Sequence, residues 1–333
     1  MTNAKKIVVI TGGSAGVGRA TAVAFAQQGA SVALLARGLE GLQGAAREIE
    51  TVGGTALIIQ TDVADAAQVE AAASRVENEL GAIDVWINNA MVTVFSKAIE
   101  VTAAEYQRVT EVSYLGTVYG TLAALKRMRP RNRGCIIQVG SALAYRGIPI
   151  QSAYCAAKFA VRGFTDSLRV ELMHEKSAIQ LTMVQLSAFN TPQFEWARHR
   201  INAKPKPLPP IFQPELAADV IVWCANHKRR EVYVGFPALK TIIGNKLFPG
   251  LADRIACKQA IGGQQDKSAP AESARDGNLF EPVPGDFGTH GRFDHQAKRH
   301  SWQLFITLHR TSLWIACALL TLLLFAMFTL LIW

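Results

Sequence analysis

The sequence has no close pair of cysteines. Its five, Cys135, Cys155, Cys224, Cys257 and Cys317, form no C-x-x-C motif. An odd, scattered set fits a reducing compartment and argues against a disulfide framework or a zinc site. A cleavable leader is not expected either, because the short apolar run after Lys5-Lys6 leads straight into a glycine-rich turn. There is no internal repeat. The net charge is +9, yet no stacking aromatics accompany the basic groups at 126–133 and 228–230. Nucleic acid is therefore not an expected partner, and an anionic leaflet suits the charge better. His174 and His199 have no partners that would make them metal ligands, so both read as surface residues and no metal is expected.

What is present is an alternation of short β-branched runs with longer helical ones. Strands are expected at 6–11, 31–36, 55–60, 83–87, 134–139, 179–184 and 231–234. Several are apolar without a period of two, as strands covered on both faces should be. Helices are expected at 18–28, 65–80, 102–128, 152–175 and 214–227, with Thr102 and Glu105 as a capping box. The pattern predicts an α/β fold: one doubly wound parallel sheet of about seven strands with helices on both faces. An amphipathic helical stretch at 236–261 completes a domain over 1–261.

The polar, Gly- and Pro-rich stretch 262–312 reads as a mostly disordered linker. The uncharged run 313–333 then reads as a transmembrane helix, since at about 1.5 Å per residue it crosses a hydrocarbon core of roughly 30 Å. Lys298, Arg299 and Arg310 lie just before it. The positive-inside rule then predicts a single-pass C-terminal anchor with the domain over 1–261 facing the cytoplasm.

Residues 11–18 read T-G-G-S-A-G-V-G between the first strand and the first helix. Glycines there allow a tight turn and close approach to a pyrophosphate, and the helix N-terminus offers unpaired N–H groups. The second strand ends in Ala36-Arg37, where an acidic residue would bind a ribose 2′-hydroxyl. A guanidinium suits a 2′-phosphate instead, so NADP(H) is predicted over NAD. Tyr154 and Lys158 stand four apart at the start of a predicted helix and share a face. The ammonium, with the positive nicotinamide of the oxidised cofactor, favours the phenolate. Tyr154 then serves as general acid in reduction and base in oxidation. Ser141, after the fifth strand, stands where its hydroxyl holds the substrate oxygen.

With these pieces, and with T-D-V at 61–63 and N-N-A at 88–90, the chain resembles a short-chain dehydrogenase/reductase over roughly residues 4 to 240. The resemblance implies a single Rossmann domain, usually dimeric or tetrameric, acting on carbonyls or alcohols. It implies that Gly12, Gly16 and Gly18 line the pyrophosphate, with Ser14 in the same turn. Asp62 and Val63 would contact adenine, Asn89 would sit beside the cofactor, Lys158 would also bind the nicotinamide ribose, and Thr191 would lie near the carboxamide. Three positions depart from the family pattern. Met91 replaces a glycine, Leu186-Ser187 replaces Pro-Gly, and Ser113 stands where the fourth catalytic residue is an asparagine that holds a helix kink and a water. The loop 187–213 carries Phe189, Phe194, Trp196 and Phe212, among others. It would cover the site and suits a lipophilic carbonyl or alcohol, unless these aromatics are core. A membrane-tied NADP-binding scaffold with little turnover is the alternative reading, favoured by Ser113 and Met91.

Overall fold

The computed structural model describes residues 5–268, 272–310 and 321. The expected strands form one parallel sheet: β1 (Ile7–Thr11), β2 (Ser31–Ala36), β3 (Thr55–Gln60), β4 (Val85–Asn88), β5 (Cys135–Ser141), β6 (Gln180–Leu186) and β7 (Glu231–Val234). Their order is β7-β6-β5-β4-β1-β2-β3. Every residue of β1 and β5 is buried, which explains their unbroken apolar runs. The order reverses between β1 and β4, so the crevice at the carboxyl ends of those strands is the natural ligand site.

The helices are α1 (Gly16–Gln27), α2 (Leu39–Thr51), α3 (Ala66–Glu79), α4 (Ala103–Thr110), α5 (Gly116–Met128), α6 (Ser152–His174), the single turn α7 (Gln193–Trp196), α8 (Pro214–Cys224), α9 (Phe236–Leu247), α10 (Pro249–Gly263) and α11 (Trp302–Leu308). Phe25, Leu42 and Val220 cover one face of the sheet. Val76, Met128 and Leu168 cover the other. Sequence reading missed α2, whose Gly41 and Gly44 lower its helix propensity. Gly41 is needed there, since a Cβ on it would meet the Cβ of Ser14 at 3.1 Å.

The helix expected over 102–128 is broken. Thr102 and Glu105 form the capping box, but a π turn at Glu111–Leu115 separates α4 from α5. Ser113 holds that turn: its hydroxyl donates to the Val92 carbonyl at 3.0 Å and accepts from the Val92 N–H at 3.1 Å. The stretch 236–261 is also two helices, because Pro249 disfavours a helical Phe248, whose φ is −136° and ψ 64°, and starts α10.

The disordered linker expected at 262–312 is corrected. Its described part lies along the carboxyl edge of the sheet as a strap. Leu279 is fully buried and Phe293 and Leu304 nearly so. Lys298 exchanges backbone hydrogen bonds with Ile211 and Gln213 at 2.9 Å, and Asp294 accepts from Asn190 at 2.8 Å. The segment has too few apolar residues for a core of its own. It borrows the domain's core and satisfies its polar groups on partners far away in the chain. Among the described residues no helix is long and apolar enough to cross a membrane. The run 313–333 lies, apart from Thr321, outside the described residues.

Candidate active site

The glycine turn joins β1 to α1 at the crevice. Gly12 has φ +67°, and a Cβ on it would lie 2.8 Å from the Cα of Ala90. Gly16 has φ +56° and packs against Thr191. Both positions exclude side chains. Asn89, after β4, locks the turn by donating to the carbonyls of Thr11 and Gly12 at 3.1 Å.

A cavity of about 1510 Å³ opens along this edge. Gly12, Ser14, Gly16, Arg37, Asp62, Val63 and Asn89 line one part of it. Ser141, Tyr154, Lys158 and Thr191 line the same cavity. Two expected site residues do not. Gly18 lies beneath the turn, where a Cβ would meet the Gly12 carbonyl oxygen at 2.2 Å, so it permits close packing and does not border the cavity. Ser113 is fully buried against Val92.

Ser141 ends β5, and its hydroxyl accepts from the Leu143 N–H at 3.1 Å. Tyr154, on the first turn of α6, lines the cavity beside Ser141. Burial pushes its phenol above the usual value of 10, and the nearby Ser141 hydroxyl pulls the other way. Lys158 is one helical turn on, its Nζ 5.6 Å from the Tyr154 ring centre. That ammonium is 3 % exposed and donates to the Val139 carbonyl at 2.8 Å. Burial pulls its pKa from 10.5 to about 8. These side chains bring a hydroxyl, a phenol and an ammonium to one corner of the cavity at the carboxyl end of β5.

At the other end Arg37 donates to three strap carbonyls: Asn278 and Phe280 at 2.5 Å, and Leu279 at 3.4 Å. Burial and the neighbouring Arg108 lower its pKa. Arg108 binds the Asp62 carboxylate at 2.5 Å and the Leu279 carbonyl at 3.1 Å. The Gly16 N–H donates to the Gly288 carbonyl at 3.1 Å. Arg19, 3 % exposed, lies between Glu48 and the strap's Asp286. Sequence reading missed Arg19, Arg108 and the strap. No local pattern marks them, since their partners are up to 267 residues away.

The loop 187–213 borders the cavity, and its Phe189, Phe194 and Phe212 are also core. Phe194 packs between Phe95 and Phe293, and Trp196 meets Phe287 edge-on. His199 is corrected: it is fully buried, with Nδ1 3.1 Å from the Ile201 carbonyl oxygen and Nε2 3.8 Å from Glu272. Ser187 ties β6 to the end of β7 by donating to the Val234 carbonyl at 2.7 Å.

The sequence profile of the short chain dehydrogenases matches residues 6–201. The uncharacterized oxidoreductase YxnA of Bacillus subtilis is 34% identical over 288 residues, covering 85% of this chain and 81% of that one. The 3-dehydrosphinganine reductase of Danio rerio is 32% identical over 228 residues, covering 65% and 67%. Among solved structures, a metagenomic short-chain oxidoreductase in complex with NADP superposes with a TM-score of 0.59 at 26% identity, over 69% of this chain and 96% of that one. With a matching profile over more than half its length and a glycine turn, serine, tyrosine and lysine on one cavity, the chain belongs to the short-chain dehydrogenase family of oxidoreductases.

Proposed function

We propose that the chain is an NADP(H)-dependent oxidoreductase that interconverts a carbonyl and an alcohol on a small lipophilic substrate. The observation that carries this is one cavity bordered by both the glycine turn and Ser141, Tyr154 and Lys158. With no side chains at Gly12 and Gly16, the backbone of the turn would let a pyrophosphate come close. Asp62 and Val63 would meet the adenine, Lys158 the nicotinamide ribose and Thr191 the carboxamide. A guanidinium has five N–H donors, and three of those on Arg37 go to strap carbonyls. The other two, with Arg108 close by, suit a 2′-phosphate. When bound, NADP(H) supplies or accepts the hydride, and its oxidised ring adds a positive charge.

In this reading Ser141 holds the substrate oxygen by hydrogen bond while Tyr154 gives or takes its proton. Lys158 favours the phenolate when it carries its proton. Phe189, Phe194 and Leu208 border the cavity, which suits an apolar substrate. The test follows NADPH absorbance with a panel of lipophilic ketones and aldehydes. Turnover should fall about 10²- to 10⁴-fold in Tyr154→Phe, and Arg37→Glu should remove the preference for NADPH over NADH. Full activity of Tyr154→Phe, or an unchanged cofactor preference in Arg37→Glu, would refute the respective assignments.

We also propose that the chain pairs with copies of itself, because Leu122 and Phe159 on α5 and α6 are exposed. The uncharged run 313–333 is proposed to anchor it to a membrane, with the catalytic domain on the cytoplasmic side.

A further inference from the structure

The cavity mouth is bordered by side chains that also face solvent. Phe236 is 58% exposed, Phe248 63%, Leu251 56%, Ile255 48%, Trp302 84% and Ile306 56%. All six line the cavity, so α9, α10 and α11 form an apolar rim around one opening. Soluble surfaces rarely gather so many large apolar groups around one opening without a partner.

Charge narrows the choice of partner. The helices α9 and α10 carry Lys240, Lys246, Arg254 and Lys258 against a single acid, Asp253. That acid is already bound to Arg146 at 2.7 Å. Among the described residues none of those four basic groups is in an ion pair. Lys298 and Arg299 precede α11 with no acid between them and residue 333. Chain length narrows it further. Four residues separate Leu308, the end of α11, from the uncharged run at 313–333. They span at most about 17 Å. Leu304 is buried in the domain core, so α11 cannot drift away from the rim.

We infer that this rim docks on the surface of a bilayer rich in anionic lipid, with the cavity mouth opening into the acyl region. Aromatic and aliphatic side chains would enter the headgroup boundary while the basic residues meet lipid phosphates. The inference deepens the proposed function, on which its substrate consequence rests: the substrate reaches Tyr154 laterally from the membrane and is itself a lipid.

The test places an environment-sensitive fluorophore on the full chain at Leu251→Cys, in a background of Cys257→Ser and Cys317→Ser. A second preparation carries it at Glu79→Cys, which ends α3 at the opposite edge of the sheet. Vesicles of phosphatidylcholine and phosphatidylserine are the probe. At 251 the emission should shift to the blue and be quenched by brominated acyl chains. At 79 it should stay aqueous. Arg254→Glu with Lys258→Glu should reduce insertion at 251 several-fold. An aqueous label at 251 on vesicle-bound protein would overturn the inference, leaving the tail as the sole contact. An apolar signal at 251 before lipid is added, unchanged afterwards, would overturn it as well, because the tail or a second copy would then cover the rim. No turnover is measured, so failure here is distinct from failure of the oxidoreductase reading.

Discussion

Lys158→Met should make the protein more stable at pH 7 while abolishing turnover. Burial pulls the ammonium from 10.5 to about 8. At about 1.4 kcal/mol for each tenfold change, holding the charged form inside costs about 3.4 kcal/mol below pH 8. The folded pKa lies below the unfolded one, so between pH 8 and 10.5 the unfolded chain binds more protons and wild-type stability rises with pH. By pH 10 the remaining penalty is about 0.8 kcal/mol. Methionine has similar length and carries no charge, but it loses the 2.8 Å bond to the Val139 carbonyl. An unpaired buried carbonyl costs about 1–2 kcal/mol. The variant should therefore gain about 2 kcal/mol at pH 7 and lose that advantage by pH 10. Urea unfolding of both proteins at the two pH values measures the difference. An equal gain at both pH values, or destabilisation at pH 7, would refute the claim that the lysine is held against its own solvation.

Other outcomes follow from the same structure. Glu105 is 1 % exposed. Burial raises its pKa, but Arg200, the Thr102 N–H and Arg198 outweigh this and bring it from 4.5 to about 2. Its stabilisation is complete above pH 4.5 and lost as pH falls toward 2, so Glu105→Gln should cost about 2 kcal/mol at neutral pH, allowing for solvent around the arginines, and little at pH 2.5 in chemical unfolding. Ser113→Ala orphans both backbone groups of Val92 and should cost about 1–3 kcal/mol, read from the same unfolding curves. Arg37→Ala frees three strap carbonyls, and amide hydrogen exchange should quicken across 276–288 while β1 and β5 stay protected. Equal exchange in wild type and variant would show that the strap is held elsewhere. Gly18→Ala sets a methyl 2.2 Å from the Gly12 carbonyl oxygen, so a lower melting temperature and weaker NADPH binding should appear together.

That Ser141, Tyr154 and Lys158 come together was legible because the spacing is local. Tyr154 and Lys158 are one helical turn apart, and Ser141 closes a strand read from its own apolar run. The direction of the tyrosine shift was not legible, because burial raises it and only the packed surroundings reveal that. Arg37 borders the crevice, yet no pattern near it announced the carbonyls of residues 278–280. His199 read as exposed because its polarity, taken alone, favours the surface; its burial depends on residues 272–275 crossing over it.

By itself the sequence determined the parallel sheet, its crossovers and the crevice at the strand ends, since strand burial and turn chemistry are written in neighbouring residues. It also placed Tyr154 and Lys158 on one helix face and the glycines in one turn, through residue types held at helical and turn spacing. Only the tertiary structure decided that the polar stretch after residue 263 closes over the cavity edge and that Ser113 clamps a π turn. It alone decided that the apolar faces of α9, α10 and α11 meet at one mouth. The physical reason is the same in each case: these arrangements are set by bonds and contacts between residues far apart in the chain, whose energies no local pattern encodes.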